Sequence, residues 1–227
     1  MKAMILAAGR GERMRPLTDH TPKALLQVGG KPLIVWHIER LADAGITEVV
    51  INHAYLGDQI EQALGNGSQW GVSIQYSREQ EALETAGGVA AAIPLLGDAP
   101  FLLISADIYA QCNYSHLLDK VKLLESQDWA YIWMVDNPPW HARGDFALRG
   151  QYIDLLGEPR MTYANLGIYR PEFFATIEPG TKMPMLPLFQ GAISQNKVKG
   201  GRYAGLWENV GNPQQLAALD ALLRKNE

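Results

Sequence analysis

The stretch LAAGRGERMRPLTDHTPK, residues 6–23, contains the first candidate site. It follows a short apolar run, residues 3–7, that is typical of a buried strand. Gly9 and Gly11 lack a Cβ atom, so backbone N–H groups in this turn can approach an anion closely. The turn is not a P-loop, because no Gly-Lys-Ser/Thr follows it, and it lacks the third glycine of a dinucleotide fingerprint. Taken alone, two glycines are more consistent with an ordinary turn than with an anion site.

The charge around these glycines strengthens the case for an anion site. Four cationic residues, Arg10, Arg13, Arg15 and Lys23, lie close together in a chain with 20 Lys and Arg against 24 Asp and Glu. One guanidinium group can bind two phosphate oxygens at once through two parallel hydrogen bonds. An ammonium group can neutralise charge that develops on a transferred phosphoryl group. A solvated basic loop is the alternative interpretation.

Composition limits the classes of protein that the chain can belong to. Its 227 residues are 47% hydrophobic and 19% charged, as in ordinary globular proteins. The formal net charge of −4 gives no general attraction to nucleic acid or anionic membranes, so we expect neither as a partner. The single Cys112 cannot form an internal disulfide, and the N-terminal apolar run is too short for a signal peptide. We therefore expect a cytoplasmic protein.

Short apolar runs alternate with helix-like patterns in the first part of the chain. Strands are predicted at residues 3–7, 48–52, 72–76, 101–104 and 130–135, and helices at 33–44, 58–64, 86–96 and 114–126. This alternation predicts an α/β fold, with a Rossmann-like, mostly parallel mixed sheet flanked by helices. After residue 136, strands are predicted at 146–148, 162–169 and 202–207, and helices at 171–177, 186–195 and 213–224. We expect a single domain over residues 1–227, with an elaborated lobe at 137–227.

Residues 6–23 resemble the signature of the sugar-1-phosphate nucleotidyltransferases, L-A-A/G-G-x-G-x-R-x-x-P-L-T-x-x-x-P-K, at nearly every fixed position. The resemblance implies a nucleotidyltransferase fold, with a nucleotide-binding half at 1–136 and a sugar-phosphate-binding half at 137–227. It also implies that Arg13 and Lys23 hold the phosphates and stabilise the reacting α-phosphate. The nucleotide-binding residues that it implies in this stretch are Leu6, Ala8, Gly9, Gly11, Glu12, Arg13 and Lys23.

Asp107 ends the buried run 101–107 and is the first candidate metal ligand. Ligands of open parallel sheets bind at the carboxyl ends of the strands, and Mg²⁺ favours carboxylates together with substrate phosphates. A helix N-cap is the alternative role. The resemblance implies that Asp107 is catalytic and binds Mg²⁺, with Asn209 at the position of the second metal aspartate of the family. Because an amide carries no charge, we expect weaker Mg²⁺ binding; Ser105-Ala106 also departs from the usual Asn-Gly.

Two further groups of residues complete the predicted site. The string QEALETAGG, residues 80–88, opens a helix for which Thr85 is the predicted cap. The resemblance implies that Gln80, Thr85 and Gly87 border the nucleobase, and Asn52 is a further candidate for contact with the base or ribose. The residues implied for the sugar are Ser105, Asp145, Glu158 and Asn165.

Several strings favour one branch of the family. The compact length and the strings INHAYLGDQIEQALG (51–65) and VDNPPWHARGDFAL (135–148) most resemble members that act with UTP on N-acetylmuramic acid 1-phosphate, in peptidoglycan recycling. The resemblance implies an NTP and a sugar 1-phosphate as substrates, Mg²⁺ as cofactor, and a monomer or weak homodimer. A glucose- or mannose-1-phosphate enzyme stays open as an alternative, as does a weakly active or non-catalytic nucleotide-binding relative.

Overall fold

The computed structural model describes residues 1–225, along which strands and helices alternate as the apolar patterns predict. The strands are β1 (Ala3–Leu6), β2 (Gln27–Val28), β3 (Lys31–Pro32), β4 (Glu48–His53), β5 (Ser73–Arg78), β6 (Phe101–Ser105), β7 (Ile108–Ala110), β8 (Ala130–Val135), β9 (Phe146–Arg149), β10 (Tyr152–Asp154), β11 (Arg160–Tyr169), β12 (Val198–Arg202) and β13 (Trp207–Asn209). The α-helices are α1 (Leu33–Asp43), α2 (Gly57–Leu64), α3 (Glu84–Leu96), α4 (Tyr114–Leu118), α5 (Met185–Ser194) and α6 (Pro213–Arg224).

The main sheet has nine strands in the order β5-β4-β1-β6-β11-β8-β12-β10-β9. The four strands from β5 to β6 are parallel. β11 then runs antiparallel to both β6 and β8, and β12 runs parallel to β8. The sheet is therefore parallel in the first half and mixed in the second. Because β4 and β6 lie on opposite sides of β1, the strand order reverses at β1, which is where such sheets bind ligands.

Apolar residues alternate between the two faces of the sheet, so both faces are covered by helices. In β1, Ala3 and Ile5 pack into one core cluster with α1 and α2, while Met4 packs into the other with α3 and α5. β6 divides its residues in the same way. Strands buried on both faces read as continuous apolar runs, which is why these strands were predictable from the sequence. A smaller cluster holds α6 against β2 and the start of α1.

Several predicted elements are wrong in extent. The helix predicted at 114–126 is α4, which ends at Leu118, followed by a 3₁₀ helix at Asp119–Leu123. The helix predicted at 171–177 is a 3₁₀ helix at Pro171–Phe174. The strand predicted at 202–207 is not formed, because β12 ends at Arg202 and the chain then turns into a separate ribbon that begins at Trp207.

That ribbon consists of β7 and β13, which pair antiparallel outside the main sheet. β7 follows β6 after the two residues 106–107, and β13 lies close to the end of the described chain. The pairing thus brings residues separated by about a hundred positions in sequence to one edge of the sheet. Among residues 1–225, every helix is too short or too polar to cross a bilayer.

Candidate active site

The glycine-rich turn after β1 is held close to Lys23. Gly11 has a φ of +70° and precedes a 3₁₀ helix at Glu12–Met14. A Cβ at this position would lie 3.1 Å from Thr18 Cγ2 and 3.2 Å from Lys23 Cβ. The Thr18 hydroxyl also donates a hydrogen bond to the Gly11 carbonyl at 2.8 Å. A glycine is therefore required here both for its backbone conformation and for the close approach of Lys23.

Lys23 and Asp107 form an ion pair between the turn and the end of β6. Their Nζ and Oδ2 atoms are 2.6 Å apart, and the side chains are 13% and 32% exposed. The backbone is arranged by the sheet, because Leu6 and Ser105 are register partners and the Ala106 N–H donates to the Leu6 carbonyl. Two of the predicted catalytic residues thus meet at the switch point, with both side chains still accessible.

The ribbon brings the backbone of Asn209 close to the backbone of Asp107. Asn209 pairs with Ile108 in β7, and the next N–H along the chain, that of Val210, donates to the Asp107 carbonyl at 2.8 Å. The Asn209 Oδ1 atom is buried and has no hydrogen-bond partner within residues 1–225. A buried oxygen without a donor is costly unless something binds it. The arrangement suits a hard cation, since Mg²⁺ binds oxygen ligands and completes its shell with substrate phosphates.

In the described part of the chain, no three His, Cys, Asp or Glu side chains are grouped so as to hold an ion. Asp107 with one amide oxygen is a partial site, to which a phosphate ligand would have to contribute. Arg13 completes the surroundings, because its Nη2 atom lies 3.6 Å from the position that a Cβ on Gly211 would occupy.

Arg13, Lys23 and Asp107 line a cleft of about 430 Å³. Its walls are Leu6, Ala7, Ala8, Gly9, Arg10, Gly11, Glu12, Arg13, Lys23, Ala24, Asn52, Ala82, Glu84, Thr85, Ser105, Ala106, Asp107, Lys182 and Gly211. The cleft therefore gathers the predicted phosphate-side residues, together with Thr85 and Ser105. Six other predicted residues do not line it: Gln80, Gly87, Asp145, Glu158, Asn165 and Asn209.

A hydrogen-bonded chain connects the glycine-rich turn to the loop before α3. Asn52 accepts from the Ala7 N–H at 3.0 Å and donates to Glu79 at 2.6 Å. The second carboxylate oxygen of Glu79 accepts from the Leu83 N–H at 2.8 Å. Asn52 and Glu79 are both buried, so this connection is shielded from water. It fixes the spacing between two walls of the cleft, and Asn52 itself lines the cleft between them.

The start of α3 differs from the prediction. The helix begins at Glu84, so Thr85 lies inside its first turn and does not cap it. The N–H groups of Ala86 and Gly87 instead donate to the Met183 carbonyl, at 3.0 and 3.1 Å. A carbonyl from a distant segment thus satisfies two of the unpaired donors of the helix.

Gly87 serves this same junction. A Cβ on Gly87 would lie 2.2 Å from the Thr181 carbonyl oxygen, so a larger residue would push the segment 181–183 away. The Met183 N–H also donates to the Leu83 carbonyl at 3.0 Å. The position therefore has a packing role against this segment. Gln80, the other base-side prediction outside the cleft lining, is exposed.

Two of the predicted sugar residues lie beside β11. Asp145 accepts from the Tyr163 N–H at 2.8 Å and contacts His141 Nε2 at 3.0 Å. Asn165 has a φ of +55° and lies where the register between β11 and β8 shifts. A bulge of this kind redirects a side chain, and asparagine tolerates the left-handed conformation better than most residues. Glu158 is exposed and only accepts from the Arg160 N–H.

β13, the strand of the ribbon that carries Asn209, also contacts this region. The Trp207 indole donates to the Ala164 carbonyl at 2.9 Å, next to Asn165. The Trp207 ring also stacks on exposed Trp140, with centroids 6.4 Å apart. The predicted sugar side is thereby joined to the predicted metal side through one short strand.

A buried histidine, His37, is hydrogen-bonded to the backbone of β7. His37 Nε2 lies 2.8 Å from the Ile108 carbonyl and Nδ1 lies 2.7 Å from the Tyr114 hydroxyl. Burial, with a smaller contribution from the charge of Arg40, lowers the pKa of His37 to about 3. The ring is therefore neutral, donating to Ile108 and accepting from Tyr114. His37 holds the strand that follows Asp107 and takes no part in the cleft lining.

Sequence reasoning missed several lining residues, of which Lys182 and Glu84 are the most informative. Glu84 lies inside the predicted 80–88 string and has a φ of +62°, which a sequence pattern does not reveal. Lys182 lies in the irregular stretch PGTKMP, residues 179–184, with no motif around it. Arg10 was counted among the cations of the turn; it pairs with Glu12 at 2.7 Å and lies over the Tyr55 ring.

Known proteins resemble this chain in sequence and in fold. Residues 2–144 match the sequence profile of the family described as Nucleotidyl transferase. A protein of Neisseria meningitidis serogroup B named N-acetylmuramate alpha-1-phosphate uridylyltransferase is 50% identical to this chain, over 98% of both chains. A protein of the same name from Caulobacter vibrioides is 32% identical over 97% of this chain and 96% of its own.

More distant similarities extend to other members. A mannose-1-phosphate guanyltransferase of Schizosaccharomyces pombe is 29% identical, over 94% of this chain and 62% of its own length. Among solved structures, a Bacillus anthracis protein described as a glucose-1-phosphate thymidylyltransferase superposes with a TM-score of 0.85, covering 99% of this chain and 95% of that one. At 22% identity, this last similarity supports the fold alone.

Proposed function

Because the chain belongs to the nucleotidyl transferase family, we propose that it transfers a uridylyl group from UTP to N-acetylmuramic acid 1-phosphate, releasing pyrophosphate. That it is a nucleotidyltransferase follows from the family itself. The choice of UTP and of N-acetylmuramic acid 1-phosphate is supported by two relatives of that name, one 50% identical over nearly the whole chain.

One observation carries the chemical part of the proposal: the Lys23–Asp107 pair at 2.6 Å, on the wall of a cleft that the glycine-rich turn also lines. In the proposed reaction, an oxygen of the sugar phosphate attacks the α-phosphorus of the NTP, and the bond to pyrophosphate breaks. A phosphate oxygen is already nucleophilic at neutral pH, so no general base is required. Catalysis then consists of alignment and stabilisation of charge.

The cationic side chains are assigned to the phosphates. Lys23 stabilises the charge that develops at the α-phosphorus, and Arg13 binds phosphate oxygens through its guanidinium fork. The N–H groups of the turn at residues 9–11 add further donors. The Asn52–Glu79 connection keeps the turn and the base-side loop at a fixed separation, so the nucleotide meets walls that are already positioned.

We assign a Mg²⁺ ion to Asp107 and Asn209. The unpartnered Asn209 oxygen, together with the carboxylate, fits an oxygen-liganded cation that shares its shell with phosphates. When bound, Mg²⁺ would supply positive charge to the phosphate oxygens. Asp145 and Asn165 are assigned to the hydroxyl and amide groups of the sugar, and Thr85 to the nucleoside. The reaction would belong to peptidoglycan recycling in the cytoplasm, where the free Cys112 thiol fits a reducing environment.

The direct test is pyrophosphate release from UTP and N-acetylmuramic acid 1-phosphate, with and without Mg²⁺. Parallel reactions use glucose 1-phosphate with UTP or dTTP and mannose 1-phosphate with GTP. We expect strong, Mg²⁺-dependent release with the first pair only. Preference for another pair would overturn the substrate assignment. Binding of UTP without release in any reaction would favour a non-catalytic relative.

A further inference from the structure

Four cationic side chains line the cleft, and they are not equally engaged. Arg10 pairs with Glu12, and Lys23 pairs with Asp107. Arg13 lies against Gly211 in the wall assigned above to the phosphates. Lys182 is exposed, and within residues 1–225 it has no hydrogen bond or ion pair. The proposed reaction, as described so far, gives this lysine no role.

The backbone around Lys182 is fixed although its side chain is free. Met183, the next residue, makes three backbone hydrogen bonds to the start of α3, two through its carbonyl and one through its N–H. The carbonyl of Thr181, on the other side, packs against Gly87. The ammonium group is thus carried by a well-held segment beside the 82–85 wall of the cleft.

The same segment leads directly into the predicted sugar side. α5 begins at Met185, and Phe189 of that helix contacts both Phe146 and Tyr163, each with ring centroids 5.3 Å apart. Phe146 follows Asp145, and Tyr163 donates its N–H to Asp145. Lys182 therefore lies between the base-side wall and the strands that carry the sugar residues, on a different segment from the phosphate-side turn.

Building on the function proposed above, we propose that Lys182 pairs with a carboxylate on the acceptor sugar and so selects acceptors that carry one. The phosphates of both substrates meet at Arg13 and Lys23, and uracil is uncharged at neutral pH. An additional anionic group on the sugar is thus what remains for a cation on this segment. N-acetylmuramic acid bears a lactyl ether with a carboxylate, whereas glucose, mannose and N-acetylglucosamine have none.

The test uses two acceptors that differ only in the lactyl ether, N-acetylmuramic acid 1-phosphate and N-acetylglucosamine 1-phosphate, each with UTP and Mg²⁺. For K182M, we expect KM for the muramic acceptor to rise about tenfold or more, as for loss of a charge-assisted hydrogen bond. The preference for the muramic acceptor, measured as the ratio of the two kcat/KM values, should fall by a similar factor. K182R should restore most of it. K122M, which removes an exposed lysine outside the cleft, is the matched control.

Three other outcomes would contradict either the role of Lys182 or the proposed function. An unchanged preference in K182M would overturn the inference while leaving the proposed function intact. An equal rise in KM for UTP and for both acceptors would also overturn it, because Lys182 would then bind a nucleotide phosphate. If the wild-type protein used neither acceptor, the proposed function itself would fail, and this outcome is read from the wild type alone.

Discussion

Two lysine–aspartate pairs in this protein have nearly the same geometry and very different surroundings. Lys23 and Asp107 are 2.6 Å apart at the cleft, with side chains 13% and 32% exposed. Lys199 of β12 and Asp128 are 2.9 Å apart beneath the mixed half of the sheet, with side chains 2% and 0% exposed. Lys199 also contacts Glu125 at 2.8 Å and the Leu123 carbonyl at 2.9 Å.

The difference in exposure to solvent indicates the role of each pair. The Lys199 cluster joins β12 to the segment that precedes β8, and within it Lys199 and Asp128 are both shielded from solvent. Burial lowers the pKa of Lys199, but the hydrogen bonds to Glu125 and Asp128 outweigh burial and raise it to about 12. The Lys23–Asp107 pair lines a cleft, where the proposed substrate phosphates and cation would be its additional partners. We infer that the Lys199 pair maintains the fold, whereas the Lys23 pair serves the proposed reaction.

The largest expected effect comes from breaking the buried pair. Lys199→Met leaves Asp128 fully buried without its cation, which costs about 3–5 kcal/mol of unfolding free energy in comparable cases. Urea unfolding monitored by tryptophan fluorescence measures the change. The matched control is Lys122→Met, whose partner Asp119 is exposed, and it should leave stability unchanged. Equal stability in the two variants would show that the buried pair does not maintain the fold.

Breaking the cleft pair should affect rate instead of stability. Lys23→Ala removes the ammonium group from the α-phosphate, and we expect kcat to fall at least about 100-fold, as when a transition-state donor is lost. The loss of stability should stay below about 1 kcal/mol, because the pair is partly exposed. Steady-state kinetics and urea unfolding on the same preparation separate the two effects. A normal turnover rate would exclude Lys23 from catalysis.

His37 is a further buried basic group, but unlike Lys199 it is neutral, because burial lowers its pKa. Its pKa is about 3 in the folded protein, against about 6.5 when unfolded, so the unfolded chain binds the extra proton between these values. Its contribution to stability is therefore lost as pH falls below about 6.5, amounting to about 2 kcal/mol at pH 5. His37→Gln should reduce the drop in unfolding free energy between pH 7.5 and pH 5 by this amount. His116→Gln, an exposed control, should keep the full drop.

The smallest expected effect tests the second proposed metal ligand. Asn209→Asp adds a negative charge at the second proposed metal ligand, and we expect the Mg²⁺ concentration for half-maximal rate to fall several-fold. A titration of activity with Mg²⁺ at saturating UTP gives this value. The equivalent titration of Glu208→Gln, the neighbouring residue of β13, is the control. An unchanged Mg²⁺ requirement in Asn209→Asp would remove Asn209 from the metal site.

The strands and the site residues of the first half were predictable, because short contiguous stretches of sequence specify them. A single contiguous signature contains the turn, Arg13 and Lys23, and the strands around it are buried on both faces. Predicted strand ends there agree with the structure to within two residues. The position of Asp107 just after the carboxyl end of β6 was also predictable, whereas its ion pair with Lys23 was not predicted.

The second half depends on contacts that no local pattern contains. Only the two ends of the predicted strand 202–207 lie in strands, Arg202 in β12 and Trp207 in β13, and these belong to different sheets. The capping of α3 by the Met183 carbonyl joins residues about a hundred positions apart, so Thr85 was the more reasonable expectation from sequence. Lys182 reaches the cleft through that same contact, which is why nothing in the sequence singled it out.

The ribbon of β7 and β13 also sets the order in which the enzyme becomes complete during synthesis. Lys23 and Asp107 leave the ribosome early, but Asn209 joins Ile108 only after nearly the whole chain has been made. A nascent chain that already contains the glycine-rich turn and β7 therefore still lacks the strand that pairs with β7. Translation that stops before Trp207 leaves β7 without its antiparallel partner, so this edge of the fold is completed late.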